Sequence, residues 1–284
     1  MKRQYAGLVA ILGIAAFLFG PSLAQAASPV PLGTTSTYGV VSSTFTNTAP
    51  GTTIIGTPGQ PALCYSVAGA PAVPAAVTGT TLSPCPAQVG LDQAAATANL
   101  NAQALATCTS IPEGVNLDAV VVGGGAPGHF TPGCYTRAGA LTTVAGGIVF
   151  LDGAGVYIFQ STGGGLTTGA NTTFNLTGVC ESDVNWGLAG AATLGANTAF
   201  VGNIIDAAGI TIGQNATLSG RALAFGGTVT VPLTPVTITV PACAALPPPP
   251  PGPPGIPTLD FIGLALLTVL LAGVGMFVVN KFSV

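Results

Sequence analysis

Groups that could carry out catalysis are few and scattered in this sequence. Glu181 and Asp183 are two residues apart, so their carboxylates would share one face of an extended segment, as a glycosidase pair or a calcium site requires. Their position beside Cys180 favours a plainer interpretation, which is two solvated loop acids. His129, the only histidine, lies in a turn-rich Gly-Gly-Gly-Ala-Pro-Gly-His segment with no acid or nucleophile near it in sequence. We therefore expect a loop histidine, no catalytic site and no cofactor.

Phosphate and metal sites find equally little support. The triple glycines at 123–125 and 163–165 lack the lysine of a phosphate loop and do not form GxGxxG, so they predict turns. No two cysteines have CxxC spacing, which argues against a metal site. An even number of cysteines favours disulfides instead. We expect sequential pairing, because each bridge would then close a separate loop or hold an end. The expected bridges are Cys64–Cys85, Cys108–Cys134 and Cys180–Cys243.

The elements that must position any functional surface are indicated by an internal repeat. The segment from Thr193 to Gly202 aligns with the segment from Thr211 to Gly220 at an offset of 18 residues, and a third copy begins at Thr167. So short a period, with β-forming residues and regular Gly and Asn, is typical of stacked solenoid turns. Glycine and asparagine at 195–197 and 213–215 would form the corners.

Alternation within each repeat predicts which side chains point outward. The residues expected inside are Ala192, Leu194, Ile210, Ile212, Phe174, Phe200 and Leu218. Two outward sets of small neutral residues remain, Thr167, Thr193 and Thr211 on one face, and Thr173, Ala199 and Thr217 on the next. Strands stack at about 4.7 to 4.9 Å, so each set would form a regular array. Composition alone favours a plainer reading, in which threonine is simply a good residue for a solvated strand.

One stretch departs from the β pattern. Residues 91–108 are rich in Ala and Gln and lack Gly and Pro, which predicts a helix, with Asp92 near its positive end. Its alanines would pack closely on one solenoid face and cover Ile205 and Leu223. The proline-rich stretch within residues 60–90 has no period and predicts an N-terminal capping insertion, since a solenoid end exposes unpaired backbone.

Charge and the two chain ends predict an exported protein. Lys2 and Arg3 precede an apolar run and an Ala-Gln-Ala site, which predicts a signal peptide over 1–26. The expected folded body, 27–246, contains two arginines against seven acids, so nucleic acid is not an expected partner. A proline-rich linker follows at 247–255. Residues 261–279 are apolar and uncharged, which predicts a membrane span within the C-terminal segment 256–284.

The order of these elements resembles the microbial ice-binding protein family, which is built from a triangular β-solenoid with one long helix alongside. The resemblance covers roughly Pro31 to Cys243. The matching segments, in the family's order, are Leu32-Gly-Thr-Thr-Ser-Thr-Tyr-Gly-Val-Val, Thr-Pro-Gly-Cys134-Tyr, Val-Tyr-Ile-Phe-Gln160, Val-Asn-Trp186, Ala-Thr-Leu-Gly-Ala-Asn-Thr-Ala-Phe-Val-Gly-Asn203 and Gly-Arg-Ala-Leu223. A T-A/G-x-T/N pattern known in some members matches Thr168-Gly-Ala-Asn171, but its repeats have Leu194 and Ile212 in place of the first threonine.

This resemblance implies a monomeric, non-enzymatic protein that binds ice through one flat solenoid face, with the two outward sets as candidate surfaces. A non-catalytic structural or adhesive surface protein is the alternative. A polysaccharide-active β-helix enzyme would need clustered acids that this sequence does not contain.

The tail resembles the IPTL-type sorting signal of Gram-negative bacteria. It carries Ile256, Pro257, Thr258 and Leu259 before the apolar span, but ends with a single Lys281 where an arginine-rich end is usual. Both a retained anchor and a processed tail fit this pattern, and either places the protein at the cell envelope or surface.

Overall fold

The computed structural model describes residues 27–66, 71–233 and 235–243, which are mostly parallel β-structure with one long helix. The helix, α1, is Ala87–Thr107, and two 3-10 helices are Gly33–Thr37 and Glu181–Asp183. The strands are β1 Val40–Asn47, β2 Thr52–Ile55, β3 Pro61–Tyr65, β4 Ala76–Thr78, β5 Thr80–Leu82, β6 Thr109–Ser110, β7 His129–Phe130, β8 Gly133–Arg137, β9 Leu141–Thr142, β10 Ile148–Asp152, β11 Tyr157–Ser161, β12 Leu166–Thr167, β13 Thr173–Thr177, β14 Val184–Leu188, β15 Ala192–Leu194, β16 Ala199–Asp206, β17 Ile210–Ile212, β18 Thr217–Val231 and β19 Val236–Thr239.

The strands form three columns, because each pairs in parallel with the strand from the next turn of the chain. Column A contains β6, β8, β11, β14, the end of β16, the middle of β18, the start of β1, β3 and β5. Column B contains β9, β12, β15, β17 and the ends of β18 and β1. Column C contains β7, β10, β13, the starts of β16 and β18, β19, β2 and β4.

One hydrophobic core lies between the three columns, and alternate residues of every strand point into it. The residues predicted to point inward, such as Leu194, Phe200 and Ile212, are all buried, which confirms the alternation. In column A the inward rings stack, with Phe159 and Trp186 centroids 4.3 Å apart. The Trp186 indole N–H donates to the carbonyl of Val201 at 2.8 Å, so the ring brings no unsatisfied polar group into the core.

The N-terminal strands stack at the far end of the molecule, beyond the last strands in sequence. β1 pairs with β18, and β3 and β5 follow it in column A. The chain must then return along eight strand spacings to reach β6, roughly 38 Å at about 4.8 Å each. Helix α1 has 21 residues, or roughly 31 Å at about 1.5 Å per residue, so it covers most of that distance.

The helix begins four residues before the predicted 91–108 and ends at Thr107. The prediction stopped short because Gly90 reads as a helix breaker, yet here the glycine has a packing reason. A Cβ at this position would lie 2.3 Å from Cε1 of Phe225. Asp92 is not in the first turn, so the dipole explanation for it is wrong. Its carboxylate instead accepts hydrogen bonds from the amide and hydroxyl of Thr34, at 2.7 and 2.6 Å.

The predicted cap is built from strands rather than from an irregular insertion. β3, β4 and β5 lie within residues 60–90 and extend columns A and C. These strands are hard to predict from sequence because they are short, lack the repeat and lie in a proline-rich stretch.

The three disulfides have the sequential pairing predicted: Cys64–Cys85, Cys108–Cys134 and Cys180–Cys243. The first lies before the start of α1, and the second joins the end of α1 to β8. The predicted signal peptide, proline-rich linker and C-terminal segment lie outside the described residues. Among the described residues, no helix has both the length and the hydrophobicity needed to cross a bilayer.

Candidate functional site

The histidine does not form a catalytic site. His129 lies in β7 rather than in a loop, which corrects the prediction, and its Nδ1 atom is 2.7 Å from Oδ2 of Asp152. Its ring stacks on Phe150 with centroids 4.2 Å apart. The acid is 23 residues away in sequence, so only the strand pairing of β7 with β10 shows the contact. Its partners are thus one partly exposed carboxylate and one phenyl ring, and an ion pair this exposed contributes about 0 to 1 kcal/mol.

The two neighbouring acids also fail to form a site. Glu181 and Asp183 lie in a 3-10 helix, and Asp183 is buried, so the prediction of two solvated loop acids is wrong for Asp183. Glu181 lies near the sulfurs of Cys180 and Cys243. Those sulfurs are joined in a disulfide, so they are not available as thiolate ligands. The triple glycines lie in connections between strands, as predicted.

Both arginines of the body are buried, and their guanidinium groups bond to neighbouring turns of the strand stack. Arg137 donates to the backbone carbonyls of Pro112, Val115 and Ala140. Arg221 donates to the Ser36 carbonyl and to the Asn203 side chain, each at 2.8 Å, and burial lowers the pKa of its guanidinium to about 10. The described residues therefore carry no lysine or arginine on their surface.

Column A cannot present a flat surface, because α1 covers it. Ile205 and Leu223 are fully buried against the helix, together with Val89, Ala96 and Leu100. This confirms the prediction that the helix covers Ile205 and Leu223. Columns B and C remain as the exposed faces.

Column B carries one unbroken line of outward threonines in register. Thr167, Thr193 and Thr211, which the repeat predicted, lie side by side. The pairing extends this line to three threonines that the repeat did not predict. The complete set in spatial order is Thr142, Thr167, Thr193, Thr211, Thr230 and Thr46. A signal for the missed members exists in sequence, since Val229-Thr230-Val231 and Phe45-Thr46 keep the same alternation of buried and outward residues.

The surroundings of this threonine line are small and uncharged. In its central rows, the outward neighbours two residues away in each strand are Gly165, Gly169, Ala191, Gly195, Gly209 and Gly213. Only the Thr142 hydroxyl has a recorded protein partner, the Asn116 side chain at 2.7 Å. Within the described residues, the other five hydroxyls donate to no protein group. In these central rows the line therefore presents free hydroxyls and methyls beside small residues, whereas Val144, which is 46% exposed, flanks Thr142 at one end of the line.

Column C also carries an outward line, but it is less regular. Thr173, Ala199 and Thr217 lie in register, as predicted, and the line continues through Thr237 and Thr53. Only one residue pair joins β13 to β16, because the chain leaves there for the 3-10 helix. The same column exposes larger apolar side chains, Ile148 at 44% and Ile55 at 39%.

An asparagine ladder forms the corner between columns B and C. Asn171, Asn197 and Asn215 have φ of 60°, 57° and 57°, and each amide bonds to the next at 3.0 Å. A Cβ on Gly195 would lie 2.7 Å from the backbone of the preceding turn. The prediction that glycine and asparagine at 195–197 and 213–215 form the corners is confirmed.

Comparison with known proteins identifies the family of this chain. The sequence model of the ice-binding-like family matches residues 40–237. An ice-binding protein of Nostoc sp. (strain HG1) is 33% identical over 238 residues, which is 81% of each chain. One of Flavobacterium frigoris (strain PS1) is 32% identical over 128 residues, or 45% of each chain.

Solved structures share the fold. An ice-binding protein from an Antarctic biological consortium aligns with a TM-score of 0.63 at 23% identity, over 78% of this chain and 96% of its own. That of the ascomycete Antarctomyces psychrotrophicus aligns with a TM-score of 0.57 at 26% identity, over 75% and 98%. The chain belongs to the ice-binding-like family.

Proposed function

We propose that this protein binds ice through column B and catalyses no reaction. In this proposal the three columns are the faces of a triangular β-solenoid, with α1 along one of them. The observation that carries the proposal is the line of six outward threonines, whose hydroxyls, except that of Thr142, are free of protein partners. The ice-binding relatives support the choice of ligand.

Ice is recognised by an extended match rather than by a strong single contact. Neighbouring threonines in column B repeat at about 4.7 to 4.9 Å, the strand spacing, which is close to oxygen spacings in ice. Their hydroxyls can bond ordered water while their methyls sit between water positions. The small flanking residues let the lattice approach the whole line at once. Rigid stacking of the strands keeps the spacing constant, so the backbone loses little further entropy on contact.

Column B suits this role better than column C. Its line is continuous over six strands, whereas the register of column C is reduced to one residue pair between β13 and β16. Ile148 and Ile55 also project from column C and would hold a flat lattice away from the neighbouring rows. Of the predicted candidates, Thr167, Thr193 and Thr211 are therefore the binding residues in this proposal, and Thr173, Ala199 and Thr217 are not.

We place the protein outside the cytoplasm, at the cell envelope or surface. Three disulfides fit an oxidising compartment. The signal peptide at 1–26, the IPTL-type segment at 256–259 and the membrane span at 261–279 complete this proposal from sequence. The folded body acts as a monomer, because a flat face needs no partner to contact ice.

Thermal hysteresis and inhibition of ice recrystallisation by the purified protein test this function. Activity in both assays that is lost on heat denaturation is the expected result. A folded protein without either activity would favour the alternative, a rigid adhesive or structural surface module.

A further inference from the structure

The row of column A that lies beneath α1 is apolar in one part of the stack and is not apolar in the next. Val41, Leu223 and Ile205 lie side by side in this row and are buried under the helix. The next two positions are Gly187 and Gln160. In this row, a residue without a side chain followed by a polar one gives the second half of the helix less apolar contact than the first half has.

A cleft of about 200 Å³ lies at this position, between the second half of α1 and column A. Its floor is formed by Gln160 and Gly187, and Leu100 and Leu188 form an apolar wall. Thr97, Asn101 and Thr162 surround the exposed mouth. No residue that lines the cleft is charged, so a ligand with a net charge would find no partner there.

The floor of the cleft contains a hydrogen-bonding group without a partner. Gln160 is only 3% exposed, and its Nε2 donates to Oδ1 of Asn101 at 2.5 Å. Its Oε1 atom is buried and has no hydrogen-bond partner among the described residues. A buried acceptor left without a donor is destabilising, so such an atom in a cleft indicates that an external donor belongs there.

We propose that this cleft binds one small, neutral, polyhydroxylated molecule, such as a single sugar residue. Oε1 of Gln160 is covered as the side chain stands, so in this proposal the amide turns toward the cleft and accepts a hydrogen bond from one hydroxyl. Other hydroxyls bond the groups at the mouth, and the C–H face of the ring lies against the accessible edges of Leu188 and Leu100. The site is separate from column B and does not depend on ice binding.

The apolar wall is the reason for choosing a polyol over water. The volume would hold about six water molecules, but a buried water needs two to four polar partners. Waters next to Leu100 and Leu188 would lack partners on that side. A sugar ring presents carbon to this wall and hydroxyls to the amides. Because a hydroxyl both donates and accepts, it satisfies either end of the Gln160 amide.

Saturation-transfer NMR of the purified protein with D-glucose, D-galactose, N-acetylglucosamine and glycerol tests the site. We expect at least one probe to bind saturably, with a dissociation constant of roughly 1 to 10 mM, as befits a ligand of this size. Gln160→Leu replaces the amide with an apolar side chain of similar bulk. It should weaken binding about tenfold or more, the loss expected when a polar contact in a sugar site is removed. Gln214→Leu, the same change at an exposed corner position, should leave binding unchanged.

A second variant keeps the test independent of Gln160. Gly187→Ala places a methyl group in the cleft, 3.1 Å from Cδ1 of Leu100 and 3.6 Å from Cγ of Gln160, and should also weaken binding. Circular dichroism of each variant checks that the fold is intact. Absence of saturable binding by all four probes would overturn the proposal and leave an ordered-water site. Equal affinity in wild type, Gln160→Leu and Gly187→Ala would show that sugars bind elsewhere.

Discussion

Replacing Thr193 with tyrosine places a bulky ring at the centre of column B. The six threonines extend over roughly 24 Å, because neighbouring strands lie about 4.8 Å apart. Adjacent outward positions lie about 6.8 Å away on either side, which makes a face of roughly 330 Å². An aromatic side chain enclosed on all sides buries about 150 to 250 Å², so one side of it covers about half of that area. One tyrosine therefore masks about a third of this face, and it also lifts the lattice from Thr167 and Thr211.

We expect Thr193→Tyr to reduce thermal hysteresis by roughly half or more, because the masked area is lost and the lattice also loses contact with the neighbouring rows. Folding should persist, since Thr193 is exposed and surface substitutions usually change stability by about 0.5 kcal/mol or less. The assay is thermal hysteresis at matched protein concentration, with circular dichroism as the check on folding. Thr217→Tyr is the matched control, because it makes the same change at an exposed position of column C. It should retain full activity.

Three outcomes would refute this reasoning. Full activity in Thr193→Tyr would exclude column B as the contact surface. Loss in Thr217→Tyr together with full activity in Thr193→Tyr would assign binding to column C. Equal losses in both variants would contradict the assignment to a single column.

Three further predictions concern the scaffold. Replacing Cys108 and Cys134 together with serine should lower the free energy of unfolding by about 3 kcal/mol, since the bridge closes a loop of 26 residues; denaturant titration measures this, and an unchanged midpoint would contradict it. Asn197→Ala should cost about 1 to 2 kcal/mol more than Asn197→Gly in the same assay, because φ of 57° is unfavourable for alanine but not for glycine. Burial raises the pKa of the Asp206 carboxyl above its ordinary value of 3.8, so the folded state holds this proton more tightly. The contribution of Asp206 to the free energy of unfolding should be present below pH 3.8 and be lost as pH rises through the raised pKa. Asp206→Asn should remove this fall from the measured pH dependence of the free energy of unfolding.

The outward threonines show what local pattern can predict. Alternation of apolar and small residues identified Thr193 and Thr211 as outward because a half-buried strand has a period of two. The same rule applies to Thr230 and Thr46, yet they were missed. Thr230 lies within the long strand β18 and Thr46 within β1, which joins the stack out of sequence order. Recognising the line required knowledge of which strands pair, and pairing depends on tertiary contacts across more than 180 residues.

Long-range contacts account for the other differences. His129 and Asp152 are separated by a full turn of the chain, so no local rule joins them. Gly90 lies in the first turn of the helix rather than before it. A glycine is required there because the ring of Phe225 occupies the space that a side chain would need. The cysteine pairing, in contrast, was predictable, since the sequential arrangement joins residues that successive short turns bring together.

The placement of charge ties the scaffold to the proposed function. Arg137 and Arg221 are buried and bond backbone carbonyls, so both cations of the described body stabilise the stack. A charged side chain on a face that contacts ice would lose part of its hydration shell, because the ice lattice leaves no room for mobile water. Removing water from a charged group is costly in free energy. The rows of column B contain no charge, and their hydroxyls can exchange bonds with liquid water for bonds with ordered water at little net cost. Burying the arginines therefore serves two ends, because it satisfies backbone carbonyls within the stack and keeps the guanidinium charges off the exposed faces.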